Sequence, residues 1–521
     1  MTVEFAIIGA GPAGMAAAVL AAELGLETVL IDEQGSPGGQ VYRGIERSQP
    51  GSLLGTDYLA GRPLAAALRA SRADYRPRAT LWHVDPDGTL DLSTEGRTEM
   101  LRARRVLLAT GAFERPVPIP GWTLPGVMGA GAAQILLKSA DLVPEGRAVL
   151  AGQGPLLYLL ATQLARAGAP PIALFETAPL ENYLGSMRHL EVLWPGRRML
   201  IKGLGLILAV KRAGIPIRRG VRGLRAIGRQ SLERIAWEGG ELAADHLFLH
   251  EGVIPNVQVS LALQLRHEWD EEQLCWRPSL DEWGRTSLPD IAVAGDGGGI
   301  YGAEAAALSG RLAALDAASQ LGRIGETERD RRAAPIRAAL DRERALRPFL
   351  DRLYRPARSV LVPAEDEVVA CRCEEVSVGQ IRRAARLGAS GPNQLKAFTR
   401  CGMGPCQGRI CGAVVSAVIA DTVGESVAEI GTYRPRAPFK PITVGALADL
   451  ETLDADDRHS GARAQPASPE LICGRPPACK VLAAVTGLVG CGHMSGLCSA
   501  VGLTAGPDGL RGSGPKHERD V

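Results

Sequence analysis

A glycine-rich turn near the N-terminus constrains the fold of this 521-residue chain more than any other feature. The apolar residues 4–8 lead directly into Gly9-Ala10-Gly11-Pro12-Ala13-Gly14, and residues 15–24 have helical composition. In such a strand, turn and helix, the first glycine makes the tight turn, the second lets a pyrophosphate approach the backbone, and the third lets the helix pack on the strand. The helix N-terminus adds free N–H groups and a positive dipole end. The segment is therefore a predicted dinucleotide-binding turn.

Two carboxylates follow the second predicted strand, residues 28–31. Asp32 and Glu33 stand 23 and 24 positions after Gly9, where a carboxylate can accept hydrogen bonds from ribose hydroxyls. Asp32 is our first candidate for this role and Glu33 the second. A glycine triplet can also serve helix packing alone, so the prediction of a nucleotide site needs further signals.

Three later motifs supply those signals: Pro37-Gly38-Gly39-Gln40, Leu107-Leu108-Ala109-Thr110-Gly111 and Ile291-Ala292-Val293-Ala294-Gly295-Asp296. Their order resembles that of flavoproteins with two dinucleotide-binding domains, in which the last two motifs belong to the FAD domain. The resemblance implies that Asp296 contacts the ribityl–phosphate region of FAD and that a helix starting near Gly302 points its N-terminus at the flavin. The predicted cofactor-binding residues are Gly9, Gly11, Pro12, Ala13, Gly14, Asp32, Glu33, Gly39, Gln40, Thr110, Gly111, Gly295, Asp296 and Gly302.

A second nucleotide-type segment departs from the pattern at one position. Residues 148–165 contain Gly152-Gln153-Gly154-Pro155, but Leu157 replaces the third glycine, and Glu176 follows Gly152 by 24 positions. In the flavoprotein family this inserted domain holds NAD(P)H. We expect Leu157 to push the helix away from the strand and to crowd the pyrophosphate path. A vestigial or structural domain is therefore favoured over NAD(P)H binding, and a nucleotide held without redox chemistry is a third alternative.

The ten cysteines are unevenly placed, since none occurs among residues 1–274 and five fall within residues 371–411. A disulfide framework would spread along the chain, so this cluster indicates metal or cluster ligation in a reducing compartment. Disulfide reductases of the flavoprotein class place a redox cysteine pair after the first Gly-Gly or inside the second domain, and this chain has neither.

The N-terminal residues lead straight into a strand without a leader, which predicts a cytoplasmic protein. The net charge of +2 argues against nucleic-acid binding.

The cysteines of the cluster form two close groups, Cys371-Arg372-Cys373 and Cys401 to Cys411. Thiolates are soft donors suited to iron–sulfur clusters or zinc. The C-x-C pair followed about thirty residues on by C-x4-C resembles the bacterioferritin-associated-ferredoxin-like [2Fe–2S] domain, which implies that the ligands are Cys371, Cys373, Cys406 and Cys411. Cys401 is then a bystander or a backup ligand, and zinc stays an alternative. Nearby basic residues offset the thiolate charge or form solvated surface: Lys396, Arg400 and Arg409.

Taken together, these motifs resemble the larger FAD subunit of heteromeric amine dehydrogenases: the A subunit of opine oxidase, the alpha subunit of hydroxyproline dehydrogenase and the B-type subunit of hydrogen cyanide synthase. Supporting phrases are Gly39-Gln40-Val41-Tyr42-Arg43, residues 121–127, 250–256 and 434–442. The resemblance implies that an amino or imino acid is oxidised on an amino-acid-oxidase-like FAD subunit, and that this chain relays the electrons through FAD and a [2Fe–2S] cluster. It leaves open a small ferredoxin-like subunit, as well as peripheral membrane association through the electron acceptor.

The sequence alone keeps two other functions open, an NAD(P)H-dependent flavin reductase and a non-catalytic iron–sulfur sensor or scaffold. No catalytic residue is identified, and His250 is interpreted as a structural histidine rather than as a functional polar contact near the domain junction. The predicted fold is α/β, an FAD domain with an inserted NAD-like Rossmann domain and a small helical [2Fe–2S] domain.

The predicted boundaries follow from these motifs and from composition. They are 1–118 and 256–325 for the FAD domain, 119–255 for the insertion, 326–365 for a helical linker, 366–425 for the cluster domain, 426–455 for an extension and 456–521 for a disordered tail. Residues 481–506 of the tail carry no charged side chain, but six glycines make them a poor membrane helix. The four tail cysteines match no ligand spacing.

Overall fold

The computed structural model describes residues 2–47, 53–448 and 450. The predicted tail, residues 456–521, and its four cysteines lie outside the described residues. Residues Met1–Glu451 form one compact unit, and the domain boundaries within it stay predictions.

A seven-stranded sheet forms the N-terminal part of this unit. Its parallel strands lie in the spatial order Asp74–Pro77, Thr28–Asp32, Thr2–Ile8, Arg97–Leu108 and Ile291–Val293. Strands Thr89–Thr94 and Ala79–Val84 extend it through antiparallel pairing beyond Arg97–Leu108. All five residues of Thr28–Asp32 are buried, as expected for a central parallel strand that is covered on both faces.

Two helices pack against each other beside this sheet, Pro12–Glu23 and Ala303–Gln320. Both are rich in alanine, and a Cβ at Gly310 would come within 2.1 Å of the Ala13 carbonyl oxygen. The small side chains let the backbones of the two helices approach closely, so the first turn of Pro12–Glu23 packs on the middle of Ala303–Gln320. Shorter helices nearby are Thr56–Leu59 and Gly61–Ala70.

A second sheet of five parallel strands follows in the chain. Its spatial order is Ile217–Arg219, Ala173–Glu176, Ala148–Gln153, His246–Glu251 and Val127–Gly129. The associated helices are Ala130–Ala140, Pro155–Arg166, Leu180–Ser186 and Arg197–Arg212, with a short 3-10 segment at Met187–Val192. A separate antiparallel sheet consists of Arg225–Ile227, Arg234–Trp237 and Gly240–Ala243.

Two short pairs of antiparallel strands and several helices connect this region to the C-terminal module. The pairs are Ala112–Glu114 with Val253–Pro255, and His267–Asp270 with Cys275–Pro278. The connecting helices are Gln258–Ala262, Glu326–Arg344, Arg347–Leu353 and Arg358–Leu361, and a 3-10 turn spans Gly295–Gly297.

The C-terminal module has its own apolar core, which includes Ile381, Leu395 and Val415. It is built from the hairpin Val369–Cys371 with Val376–Ser377 and the helices Val378–Arg386, Pro392–Thr399, Gly412–Val423 and Val427–Ile430. A last helix, Val444–Ala448, contacts strand Arg97–Leu108 of the first sheet. Ser377 and Gln380 form a capping box at the first of these helices, which satisfies two backbone donors directly after the first cysteine pair.

The histidine in strand Ala79–Val84 gives the first sheet a pH-dependent stability. Nδ1 of His83 lies 2.8 Å from Asp91 and Nε2 lies 3.3 Å from Asp85, and hydrogen bonds to Asp85 and Asp91 raise the pKa of His83 to about 10. Since the unfolded value is about 6.5, this stabilisation is complete below about pH 6.5 and is lost as the pH rises toward 10. After allowance for partial exposure, we expect His83→Gln to lower the free energy of unfolding by about 1–2 kcal/mol at pH 6 and by little at pH 10. Urea unfolding at both pH values measures this, and equal losses would contradict it.

Candidate functional site

The N-terminal glycine turn is closed too tightly for side chains at its first and third glycines. Gly9 has φ +105°, and a Cβ there would lie 2.5 Å from the Ala109 carbonyl oxygen. A Cβ at Gly14 would lie 1.8 Å from the Gly9 carbonyl oxygen. The helix Pro12–Glu23 has no side-chain cap and no acidic residue in its first turn. Its first N–H groups are therefore free of a local acceptor that would compete with a bound phosphate.

The separate motifs of the sequence meet at this turn. A Cβ at Gly39 would approach the Gly11 Cα to 2.9 Å, and one at Gly295 would approach the Ala13 Cβ to 2.8 Å. A Cβ at Gly297 would lie 3.3 Å from the Thr110 hydroxyl oxygen. These close approaches join segments up to 282 positions apart in the chain, so the structure brings the glycine turn, the Gly-Gly loop, the Thr-Gly strand end and the Gly-Asp motif into one site.

The two acidic candidates point to different partners. Asp32 is buried, and its carboxylate accepts hydrogen bonds from Ala10 N at 2.5 Å and Gln34 N at 2.6 Å. Burial raises the pKa of Asp32 although these backbone bonds oppose the shift. Glu33 lies at the surface, 2.9 Å from Lys440 Nζ. Asp32 thus braces the turn itself, while Glu33 is the more accessible carboxylate at the end of the strand.

The helix Ala303–Gln320 begins at a second carboxylate-braced turn. Asp296 accepts hydrogen bonds from Tyr301 N at 3.0 Å and Gly302 N at 3.1 Å, and burial raises its pKa. Gly302 is the N-cap residue with φ +96°. The carboxylate therefore holds the loop that leads into the helix, in the place where the sequence predicts a flavin contact.

Two basic residues beside the Gly-Gly loop were not found from the sequence. Lys138 donates to the Gln40 carbonyl at 3.1 Å and the Val41 carbonyl at 2.9 Å, and burial lowers its pKa to about 7. Arg43 donates to the side chains of Gln40 and Gln34. Lys138 lies on helix Ala130–Ala140, about a hundred residues from the loop it holds, and no local pattern marks it.

The second nucleotide-type turn differs from the first at its third glycine position. Leu157, at the position equivalent to Gly14, is fully buried in the core. Glu176, at the ribose position, is buried, accepts a hydrogen bond from the Tyr158 hydroxyl at 3.1 Å and lies 3.1 Å from Arg219 Nε. The Oε1 atom of Glu176 thus has a hydrogen bond, whereas its Oε2 atom has an ion-pair neighbour but no hydrogen bond within the described residues.

His250 lies behind this second turn. It is buried, and its Nδ1 lies 2.7 Å from the Glu114 carboxylate. Glu114 also accepts from Gly131 N, in the first turn of helix Ala130–Ala140. Because its Nδ1 has a carboxylate partner, His250 fits the interpretation as a structural histidine.

Five cysteine thiols gather in the C-terminal module as a pair and a triad. In the pair, the Sγ atoms of Cys373 and Cys406 are 3.6 Å apart, and Cys373 is exposed. In the triad, the buried Sγ atoms of Cys371, Cys401 and Cys411 lie within 4.8 Å of one another. Two thiolates on one tetrahedral metal, with bonds of about 2.3 Å, would be roughly 3.8 Å apart. The pair fits one such metal, and the triad offers three thiols for a second.

Cys401 is therefore closer to the other thiols than the sequence alone indicated. Hydrogen bonds from Cys401 and Cys411 lower the pKa of Cys371 to about 2, with help from the backbone of Gly402 and Glu374. Distance does not separate Cys401 from the two ligands predicted by resemblance. The choice between Cys401 and Cys411 rests on that resemblance.

A tyrosine from the extension encloses this thiol cluster. The Tyr433 hydroxyl donates to the Cys401 carbonyl at 3.0 Å, and its ring occupies the space that side chains at Gly402 and Gly408 would need. Of the basic residues near the cluster, Arg400 donates to Glu374 at 3.1 Å and Arg409 donates to Gln258 at 2.7 Å. Tyr433 lies 22 residues beyond Cys411, so its role was not visible in the sequence.

One short segment connects the nucleotide site with the thiol cluster. Asn256 donates its N–H to the Gly111 carbonyl at 2.9 Å and accepts from the Thr110 hydroxyl at 3.1 Å. Two residues later, Gln258 accepts from Arg409, three residues beyond Cys406. The segment from Asn256 to Gln258 therefore touches both the strand end at Thr110 and the loop after Cys406.

The comparisons with known proteins agree with this arrangement. A family model described as pyridine nucleotide-disulphide oxidoreductase matches residues 3–320, and one described as the sarcosine oxidase A3 domain matches residues 370–450. The A subunit of opine oxidase from Agrobacterium tumefaciens (strain Ach5) is 44% identical over 86% of this chain and 92% of its own length. The chain belongs to the opine oxidase A family. The family resemblance predicted from the motifs is thereby confirmed.

A second relative and a solved structure extend the opine oxidase A comparison. Hydrogen cyanide synthase subunit HcnB of Pseudomonas aeruginosa is 35% identical over 87% of this chain and 100% of its own length. The crystal structure of L-proline dehydrogenase from P. horikoshii matches with a TM-score of 0.64 and 21% identity, over 86% of this chain and 79% of that one. The latter likeness shows the fold alone, and it confirms the predicted α/β flavoprotein fold class of this opine oxidase A-type chain.

Proposed function

We propose that this chain is the FAD- and [2Fe–2S]-containing electron-transfer subunit of a complex that oxidises an amino acid, imino acid or opine. The observation that carries the proposal is the Asn256–Gln258 segment, which contacts both the predicted flavin end of the nucleotide site and the loop that bears Cys406. A direct structural connection of this kind suits electron transfer between two cofactors held by one chain. The relatives named as opine oxidase subunits support it.

The chain's own residues fit FAD. The bare helix N-terminus at Pro12 would bind the pyrophosphate, a carboxylate at the end of strand Thr28–Asp32 would bind ribose, and the loop braced by Asp296 would orient the flavin side. FAD accepts two electrons together and releases them singly, and a [2Fe–2S] cluster carries one at a time. Cys373 and Cys406 would hold one iron, and Cys371 with Cys411 the other.

The substrate would be oxidised on a different polypeptide. We propose that the partner is an amino-acid-oxidase-like FAD subunit, which acts on a CH–NH or CH–NH2 donor, and that a small ferredoxin-like subunit is an additional component. The relatives support a hetero-oligomer, because they are named as the A subunit of opine oxidase and as subunit HcnB of hydrogen cyanide synthase. No catalytic residue for C–N oxidation is assigned to this chain.

The second sheet argues against reduction of the flavin of this chain by NAD(P)H. The buried Glu176 is bonded to Tyr158 and lies beside Arg219, and Leu157 fills the helix-packing position. A non-catalytic sensor or scaffold would leave the tightly closed glycine turn and the Asp296 loop without a purpose.

A visible spectrum under different reductants tests the proposal. We expect the flavin absorbance of the purified chain to stay unchanged with NADH or NADPH, because Leu157 replaces the third glycine of the second nucleotide-type turn. With the co-purified partner subunit present, proline, hydroxyproline or an opine is expected to reduce it. Bleaching of the isolated chain by NADH would overturn the subunit proposal in favour of a self-sufficient reductase.

A further inference from the structure

An unusual concentration of exposed apolar side chains lies on the helices beside the second sheet. Nineteen large hydrophobic side chains are exposed among the described residues, and eight of them fall between residues 180 and 208. The eight are Leu180, Leu184, Met187, Leu190, Trp194, Ile201, Leu204 and Leu208. Scattered exposed hydrophobic residues are ordinary, but such a concentration marks an interaction surface.

The helix Arg197–Arg212 carries apolar residues on two sides. Val210 is buried, and Ile207 packs against the core. Ile201, Leu204 and Leu208 are 66%, 57% and 45% exposed. Their spacing of three and four residues places them on one outward stripe. This stripe is not needed to attach the helix to the core, because the inward side already does so.

The residues just before this helix in the chain also carry exposed apolar side chains. Leu180, Leu184, Met187 and Leu190 follow one another at spacings of four, three and three, and each is at least half exposed. The helix Leu180–Ser186 packs on helix Arg347–Leu353, so the exposed side chains lie away from that contact. Trp194, in the connection to the next helix, is 76% exposed.

Basic side chains alternate with these apolar residues along the chain. Within residues 180–212 the exposed charged side chains are six basic residues, Arg188, Arg197, Arg198, Lys202, Lys211 and Arg212, against two acidic ones, Glu181 and Glu191. Lys202 makes a surface ion pair of 2.9 Å with Asp57, a contact that is weak in water and exchangeable. The surface as a whole favours a negatively charged partner, and the same excess of positive charge opposes pairing with a second copy of itself.

We propose that residues 180–212 form a docking surface for an anionic lipid bilayer. The leucine, isoleucine, methionine and tryptophan side chains would enter the boundary between headgroups and acyl chains, and the basic side chains would lie at the lipid phosphates. Among the described residues no helix is long and apolar enough to cross a membrane, so the contact is a surface one. This inference is independent of the proposed electron-transfer function.

Vesicle flotation with the full chain tests the proposal. We expect binding to vesicles of phosphatidylcholine with 30% phosphatidylglycerol and little binding to phosphatidylcholine alone, because the basic residues need anionic headgroups. The triple variant Ile201→Gln, Leu204→Gln and Leu208→Gln is expected to bind roughly tenfold more weakly or worse, since it loses three inserting side chains. Lys211→Gln with Arg212→Gln should weaken binding to a similar degree, and added salt should weaken it further.

A matched triple variant distinguishes binding through this surface from nonspecific binding through exposed apolar side chains elsewhere. Leu136→Gln, Leu142→Gln and Leu387→Gln change three side chains that are 42%, 55% and 70% exposed elsewhere, and binding should stay within about twofold of the unmodified chain. Equal binding by both triple variants, or no binding to anionic vesicles by the unmodified chain, would overturn the proposal. The proposal would also be overturned if the unmodified chain self-associates without binding vesicles and the first triple variant no longer self-associates. That result would identify a second copy of the chain as the occupant.

Discussion

The Cys406→Ser variant is expected to lose electron transfer through the cluster, by on the order of 100-fold or more, while it keeps its flavin. Cys406 and Cys373 are the pair whose Sγ atoms are 3.6 Å apart, so the loss of one thiol leaves the proposed first iron with a single ligand. Because the module has an apolar core of its own, we expect the variant to stay folded. Iron and acid-labile sulfide content, flavin content and transfer rate to an artificial one-electron acceptor measure the effect.

Two further cysteine variants make this result specific. Cys275→Ala removes a buried cysteine outside the cluster and should leave iron content unchanged. Cys401→Ala should also keep two irons per chain, because the resemblance assigns the ligands to Cys371 and Cys411. If Cys401→Ala loses the iron while Cys411→Ala keeps it, the proposed ligand set is wrong and Cys401 takes its place in the triad.

The Gly14→Ala variant is expected to lose FAD. A methyl group at this position would lie 1.8 Å from the Gly9 carbonyl oxygen and 3.3 Å from a Leu30 methyl carbon, so the helix Pro12–Glu23 must move away from the turn that would bind the pyrophosphate. Overpacking of this kind costs about 3 kcal/mol, which corresponds to a loss of roughly 100-fold in FAD affinity if the displacement falls on the binding site. Flavin content after purification and titration of the flavin-free protein with FAD measure it.

A glycine in open space is the control for this variant. Gly203 lies in helix Arg197–Arg212, where an added methyl group would have no neighbouring atom within 4 Å, and Gly203→Ala should raise stability slightly without any change in FAD affinity. Wild-type FAD affinity in Gly14→Ala would contradict the assignment of the glycine turn as the pyrophosphate site.

The nucleotide site could be predicted because its signals are local. Residues 4–24 contain the strand, the glycines and the helix in unbroken order, and the close Gly14–Gly9 contact explains why that order needs glycine. Two of the later motifs were informative because they mark the ends of the strands Arg97–Leu108 and Ile291–Val293 in the first sheet.

Long-range contacts could not be predicted from the same patterns. Asp32 was our first candidate for a ribose contact, yet its carboxylate accepts from Ala10 N and Gln34 N, which only the folded turn reveals. Lys138 reaches the Gln40 loop from another helix, and Tyr433 returns from the extension to the Cys401 carbonyl. These roles depend on tertiary packing and leave no periodic signal. The exposed stripe of helix Arg197–Arg212 was missed because an apolar helix side gives the same pattern whether it faces a core or solvent.

Low-temperature electron paramagnetic resonance of the complex tests the central claim most directly. The complex of this chain with its oxidase partner is mixed anaerobically with an oxidisable amino acid or opine and frozen during turnover. We predict the signal of a reduced [2Fe–2S] cluster, which disappears when this chain carries Cys406→Ser although substrate still reduces the partner's flavin. A complex that turns over at the full rate with no iron–sulfur signal, or with an unchanged signal in Cys406→Ser, would contradict electron transfer through this cluster.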